Sequence, residues 1–475
     1  HSIARAMLMV MSISLRPAAP AACCFLLMSL GGVHAAQTPY PQSTIVTGVT
    51  WDFSQTEAQR RAKGSDIWPL TWGADGDLYT AWGDGGGFGG SDANGRVSIG
   101  FAKILGVPSD RNRATFEGDN LWGAAPAFAH TQATVGGKIQ SMFSVHGVLY
   151  AYGGIWTRAN CQCADPTKLD GDGPKNARSL MWSEDAGLNW QRASWTSDAN
   201  VYFLNFGKDN WEARDGYVYE YYLKSNDTSH MYLRRVRPSK LTAAPSTAKA
   251  REYLAAVDRT GKRVRWSAHE QAAIPVFFDP ANVSLPQVTY NAAIGRFLLT
   301  IGHNPGGKHA TLSAGQVGFF EAPNPWGPWA TIDYRDDWGN FGNSATGAYL
   351  GLHIPAKWIS ADGTTFWAVF SNLGELDSFN LVKGTLNVSS DVPRITAPES
   401  GAMLDTGASY TAAAQGNALT WTAALHDGRT SEFAHAKGDT FVFTVPTRAK
   451  AGQFVRLTVA SAVATVYRDF PIAQK

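Results

Sequence analysis

Apolar and polar residues alternate with period two through almost the whole chain, and Gly, Asp and Asn break the alternation at short intervals. That pattern predicts short strands joined by tight turns. Helical periodicity is scarce, and only 56–63 suggests a short helix. The strand-rich stretches fall into groups at 68–105, 139–195, 202–236, 252–332 and 354–386. Groups of about 60 residues, each larger than four strands need, predict an all-β chain with a five-bladed β-propeller at 45–390. Six or seven blades are the alternatives, because long loops hide blade edges. Past Val392-Pro393 the Trp and Gly density falls and alternation resumes through 420–424, 441–445 and 455–466. This stretch, 393–475, reads as a small Ig-like β-sandwich.

Composition narrows the class. The chain has 475 residues, 44% hydrophobic and 17% charged, which suits one large domain and a smaller one. A formal charge of +2 lacks the basic footprint of a nucleic-acid binder, so no nucleic-acid partner is expected. The 17 Trp and 48 Gly suit tight turns and sugar-stacking faces, although most of the Trp residues are expected in the core. Arg16, an apolar run at 21–30 and small residues before Gln37 read as an export signal over 1–36. A secreted or periplasmic protein with no membrane span is the expectation. Beyond the signal, Cys161 and Cys163 are too close in sequence for ordinary disulfide geometry, and no Cys-His metal cluster accompanies them.

The turn chemistry around Gly64–Gly87 carries the most information. Ile67–Trp72 and Asp77–Trp82 read as a hairpin closed by Ala74-Asp75-Gly76. A three-residue loop there sets Asp66 directly opposite Asp84, with Cβ atoms roughly 4.5–5.5 Å apart. Two carboxylates that close repel, so one pKa rises and the other falls, as acid/base chemistry on a glycosidic bond needs. The short separation leans towards a retaining hydrolase. Gly85-Gly86-Gly87 would then let a substrate approach the backbone closely. A calcium site made by both carboxylates, or two turn-forming Asp residues, are the plainer readings.

Asp66-x-Trp68-Pro69-x-Thr71-Trp72, followed by Asp75-Gly76-x-Leu78-Tyr79-Thr80-Ala81-x-Gly83-Asp84-Gly85, resembles a family of five-bladed-propeller glycoside hydrolases that includes endo-D-arabinanases. Glu321–Trp329 and Lys357–Gly363 are similar to that group in shape, so the resemblance spans about 45–390. It implies that Asp66 and Asp84 are the catalytic pair acting on a polysaccharide, with arabinofuranosides one candidate substrate. Separately, Ser183-Glu184-Asp185-Ala186-Gly187-Leu188-Asn189-Trp190 resembles the Asp-box turn of sialidase-like propellers, in which Asp185 is structural.

Trp68 and Trp72, with His146, Tyr290 and His303, are the expected substrate-binding residues. His146 beside Tyr150 or Tyr290, with Arg158 or Arg296, also fits a polysaccharide lyase, in which a cation neutralises a uronate and His or Tyr removes the C5 proton. A non-catalytic glycan-binding protein, using Trp68, Trp72 and Trp82 as platforms, is the remaining alternative. Glu117 and Asp119 read as a solvated loop. No cofactor or metal is required, with calcium at Asp165, Asp170 and Asp172 as an alternative that lacks a bidentate Glu.

Overall fold

The structure is a computed structural model that describes residues 38–475 apart from 92, 111–114, 123–134, 158–177, 214, 226, 303–315, 337, 340–350, 373, 400–401, 427–429 and 474–475. Among the described residues the only α-helix is α1 (Thr56–Gln59), shorter than the 56–63 expected.

Everything else of length is strand. After β1 (Val46–Asp52) come β2 (Leu70–Trp72), β3 (Leu78–Trp82), β4 (Gly100–Gly106) and β5 (Phe116–Trp122), which form one antiparallel sheet in that order. The next sheet is β6 (Val135–Val145), β7 (Val148–Thr157), β8 (Arg178–Ser183) and β9 (Gln191–Arg192). The third is β10 (Asn200–Asn205), β11 (Val218–Leu223), β12 (His230–Val236), β13 (Arg251–Val257) and β14 (Val264–Ser267), with β15 (Pro275–Phe278) also on β12. The fourth is β16 (Gln287–Asn291), β17 (Arg296–Ile301), β18 (Val317–Ala322) and β19 (Ala330–Arg335). The fifth is β20 (Leu352–His353), β21 (Thr365–Phe370) and β22 (Asn380–Val388), and β1 adds its outermost strand. The chain start thus closes the last sheet.

The packing shows that the five sheets form a ring. Each apolar cluster fills the space between consecutive sheets: Phe101 with Ile139 and Met142, Phe143 with Phe203, Phe206 with Phe297, and Phe319 with Phe366. The last cluster returns to the start, packing Trp68 and Trp82 against Val369, Phe379 and Leu381. This is a five-bladed propeller, and the parallel pairing of β10 with β16 shows that the first strands of adjacent blades run alongside one another near the axis.

One turn recurs in every blade. Gly76, Gly147, Gly216, Gly295 and Gly363 each precede the second strand and each hold positive φ, at 95°, 77°, 68°, 64° and 72°. They recur roughly every 70 residues, a true internal repeat. In the first and third blades Asp75 and Asp215 accept hydrogen bonds from Tyr79 (2.7 Å) and Tyr219 (2.8 Å) four residues on. The turn at 183–190 works similarly: Asp185 accepts from Ser183 (2.8 Å) and Asn189 N (2.8 Å), and Trp190 stacks on Phe101 of the neighbouring blade at 3.9 Å.

The remaining strands are β23 (Arg394–Ala397), β24 (Ser409–Gln415), β25 (Thr420–His426), β26 (Thr430–Lys437), β27 (Thr440–Thr444), β28 (Phe454–Ala460) and β29 (Thr465–Pro471). They form two sheets, β23-β24-β27 and β26-β25-β28-β29, around Trp421, Phe441, Val455 and Leu457. This sandwich rests on the propeller face that carries the repeated glycine turns. Tyr467 N donates to Ala292 O (3.3 Å), Arg296 to Val463 O (2.7 Å), and Trp211 stacks on Phe454. No helix among the described residues is long and apolar enough to cross a membrane.

Candidate active site

Asp66 lies just before β2, at the end of the first hairpin opposite its turn. From Thr80 back to Leu70 the hairpin has the expected register, with Thr71 opposite Tyr79. Beyond that the register slips. Asp66 pairs with Gly83, the two exchanging N–H···O bonds of 2.9 and 3.0 Å. Three residues, Ile67 to Pro69, therefore face two, Ala81 and Trp82, and the first strand bulges. Ile67 and Trp68 absorb the extra residue at φ 76° and 53°. Such values are strained for a β-branched and an aromatic residue, and two anchors hold them: Ile67 N donates to Ser371 Oγ (3.0 Å) and the Trp68 indole to Ser65 O (3.0 Å). Direct opposition of Asp66 and Asp84 is thus corrected, and the retaining course argued from it loses its geometric basis.

The two carboxylates nevertheless share one neighbour, Lys138 of β6. A Cβ on Gly83 would fall 2.7 Å from Asp66 Oδ1 and 2.8 Å from Lys138 Cδ, so the Asp66 carboxyl and the lysine stem meet above bare backbone. The same ammonium pairs with Asp84, to which Arg96 adds a second contact at 3.3 Å. Asp66 Oδ1 is buried without a hydrogen-bond partner. Burial pushes the Asp66 carboxyl up to about 7; Lys138 opposes the rise, and the Asp84 and Asp377 charges add to it. One group is set to give up a proton near neutrality while its neighbour is held by cations.

Substituting Lys138 by Met removes the largest influence that lowers the Asp66 pKa. A pH–rate profile on Lys138→Met should show the limb governed by Asp66 moved upward by about 1 unit or more. A limb that stays in place would separate Lys138 from Asp66.

The glycine run serves the fold. Gly85, Gly86 and Gly87 are all buried, so a substrate cannot lie on them. A Cβ at Gly85 would stand 2.2 Å from Gly64 O, and one at Gly87 would stand 2.4 Å from the Trp82 ring. Asn120 of β5 fastens this loop, accepting from Phe88 N (3.0 Å) and donating to Gly86 O (3.0 Å).

The structure disperses the other expected site residues. Trp68 and Trp82 are 0% exposed, which removes both as sugar platforms. Trp72 is half-buried at the far end of the hairpin from Asp66, its indole N–H on Gly76 O (3.0 Å). Tyr290 is buried against Phe206 and Phe297 at that same end. His146 holds φ 54° in the second blade's version of the repeated turn, an exposed position at the hairpin end away from Lys138. Tyr150 is buried, and Arg296 is committed to Glu321 (3.0 Å). Among the described residues the lyase constellation is therefore not assembled. His303, Arg158, both loop cysteines, the 165–172 carboxylates and the export signal lie outside the described residues. Glu117 and Asp119 are exposed on the outer strand β5. Among the described residues no group of three or more His, Cys, Asp or Glu is placed to hold a metal ion.

Lys138, Arg96, Asn120 and Asp377 escaped the sequence reading, because each reaches the site from elsewhere in the chain. So did His353 of β20, which is buried. Burial lowers its pKa to about 3, so it stays neutral.

No known family profile and no curated protein matches the chain. Among solved structures, a hydrolase from Bacteroides ovatus described as putative is similar over 70% of this chain and 87% of its own, at 13% identity and a TM-score of 0.40. A family 117 glycoside hydrolase from Zobellia galactanivorans matches over 73% and 92%, at 10% identity and a TM-score of 0.34. The Bacillus subtilis arabinanase matches over 69% and 96%, at 12% identity and a TM-score of 0.34. Similarity at this level assigns no activity to the chain.

Proposed function

We propose that this chain is a glycoside hydrolase that cuts a polysaccharide outside the cytoplasm, with Asp66 as general acid/base and Asp84 as its charged partner. One observation carries the reading: the Asp66 carboxyl, pushed up to about 7 by burial, stands beside the Lys138 stem while that ammonium holds Asp84. Asp66 donates its proton to the glycosidic oxygen as the bond to the anomeric carbon breaks. Asp84 faces the positive charge that develops on the sugar ring. Water then adds its hydroxyl to the anomeric carbon, and the proton that it releases restores the Asp66 acid for the next turnover. The motif from Asp66 to Gly85 resembles that of propeller hydrolases acting on D-arabinofuranose chains, which makes arabinofuranosides the first substrate to try.

The test is digestion of mycobacterial, plant and algal polysaccharides with the purified protein, read by mass spectrometry. Products heavier by one water per cut are expected. Products lacking that water and carrying an unsaturated uronate would overturn the assignment, as would a panel left intact. Proton NMR of the first anomer released reads the stereochemical course directly.

A further inference from the structure

A second built site lies where the sandwich meets the propeller. Two adjoining cavities, of about 210 and 250 Å³, share Trp72, Glu212 and Asp469 as walls. Lys208 and Phe454 complete the first, and Lys357 and Tyr290 belong to the second. Asp66 and Trp72 bracket β2, so this cleft opens at the far end of the hairpin, roughly 20 Å from the catalytic candidates.

The cleft is built around a carboxylate. Gly207 holds φ +66°, and a Cβ there would lie 2.2 Å from Glu212 Cδ, so Glu212 is seated against bare backbone. Burial raises its pKa to about 7 against the pull of the Arg456 charge. Arg456 itself is bound in a fork to Asp469, with both contacts at 2.9 Å. Trp211 is clamped between the Lys208 ammonium (5.0 Å) and Phe454 (5.4 Å), which fixes the sandwich on the propeller and keeps the cleft in shape. Docking alone would favour apolar side chains here, because burying a carboxylate costs free energy.

We propose that this cleft binds one unit of a neutral saccharide, separately from the Asp66–Asp84 site. Trp72 offers a ring for the C–H face of a sugar. Glu212 and Asp469 accept from neighbouring hydroxyls, and Lys208 and Lys357 donate to ring and hydroxyl oxygens. Side chains of both signs line it, Glu212 and Asp469 against Lys208, Lys357 and Arg468, so it suits a ligand rich in hydroxyls that both donate and accept. Trp72 is half-buried at this cleft, whereas Tyr290 is buried in its wall and offers no ring face to a sugar.

The experiment is calorimetric titration of the full-length Asp84→Asn protein with tetrasaccharides of arabinose, xylose and galactose. At least one should bind, and adding Glu212→Gln or Lys357→Met should weaken that binding about tenfold or more. Circular dichroism melts confirm that each variant is folded. Binding that is equally strong in both variants would overturn the proposal, as would no binding by any of the three. Binding at this cleft with no cleavage by the unaltered protein would instead sink the hydrolase reading and leave this one standing.

Discussion

Asp66→Asn should lower glycan cleavage by about 10²–10⁴-fold, the range that a positioned general acid contributes. The side chain keeps its size and loses only the transferable proton. In the unaltered protein, activity should fall as pH rises through about 7, where Asp66 gives up that proton. The same variant should be more stable at pH 8. The unfolded chain releases the proton near 3.8, whereas the fold holds it to about 7. Stability from this group is therefore full below 3.8 and lost as pH climbs to about 7. Above that, the native state carries a buried anion that Asn spares it. Melts at pH 8 should show Asp66→Asn with the higher midpoint, and melts at pH 4 should show a much smaller difference. A variant that keeps more than a tenth of the turnover would remove Asp66 from the acid role. Equal midpoints at pH 8 would show that its carboxyl is better solvated than the geometry implies.

The five-sheet count was legible because each blade repeats its own alternation and its own turn. The glycine before each second strand is the plainest mark of it, from Gly76 to Gly363. Asp66 was legible for a local reason, since a hairpin brings it back to Gly83-Asp84 within one motif. Its exact partner was not, because the bulge at Ile67 and Trp68 answers to distant groups. Trp68 fills the gap between the first and last blades, and Ser371 ties down Ile67. Neither residue type advertises positive φ, so a period-two reading runs through them without a break. His146 misled for the converse reason. Its chemistry suggested a base, while its place corresponds to that of Asp75 and Asp215 in the repeated turn. Lys138 was illegible as a site residue, since a lysine in an alternating strand reads as a solvated side chain until the neighbouring blade is in place.

The largest stability effect is expected far from both clefts, in the third blade. Glu220 of β11 sits between Arg234 of β12 and Arg251 of β13, each of the three side chains 2% exposed. Arg234 Nε donates to Glu220 Oε2 at 2.5 Å, and Arg251 donates from Nε at 2.8 Å and from Nη2 at 3.1 Å. Arg251 also reaches the carbonyls of Ala243 (2.8 Å) and Leu241 (3.2 Å), pinning the segment that leads into β13. Burial alone would push the Glu220 carboxyl up, but the two guanidiniums outweigh it and hold it at about 2. The stability it supplies is therefore present above its ordinary value of 4.5 and is lost as pH falls through about 2. Glu220→Gln leaves two buried cations facing a neutral amide. Urea unfolding at pH 7 should show a loss of about 3–5 kcal/mol, the usual cost of removing one member of a buried ionic cluster. Replacing all three with Met or Leu of similar volume should cost much less, because no uncompensated charge then remains. A loss below about 1 kcal/mol in Glu220→Gln would mean that water enters between β11 and β13 and solvates the arginines. The blade would then owe its cohesion to the tyrosines packed around Arg234, with Tyr222 beneath its guanidinium at 5.0 Å.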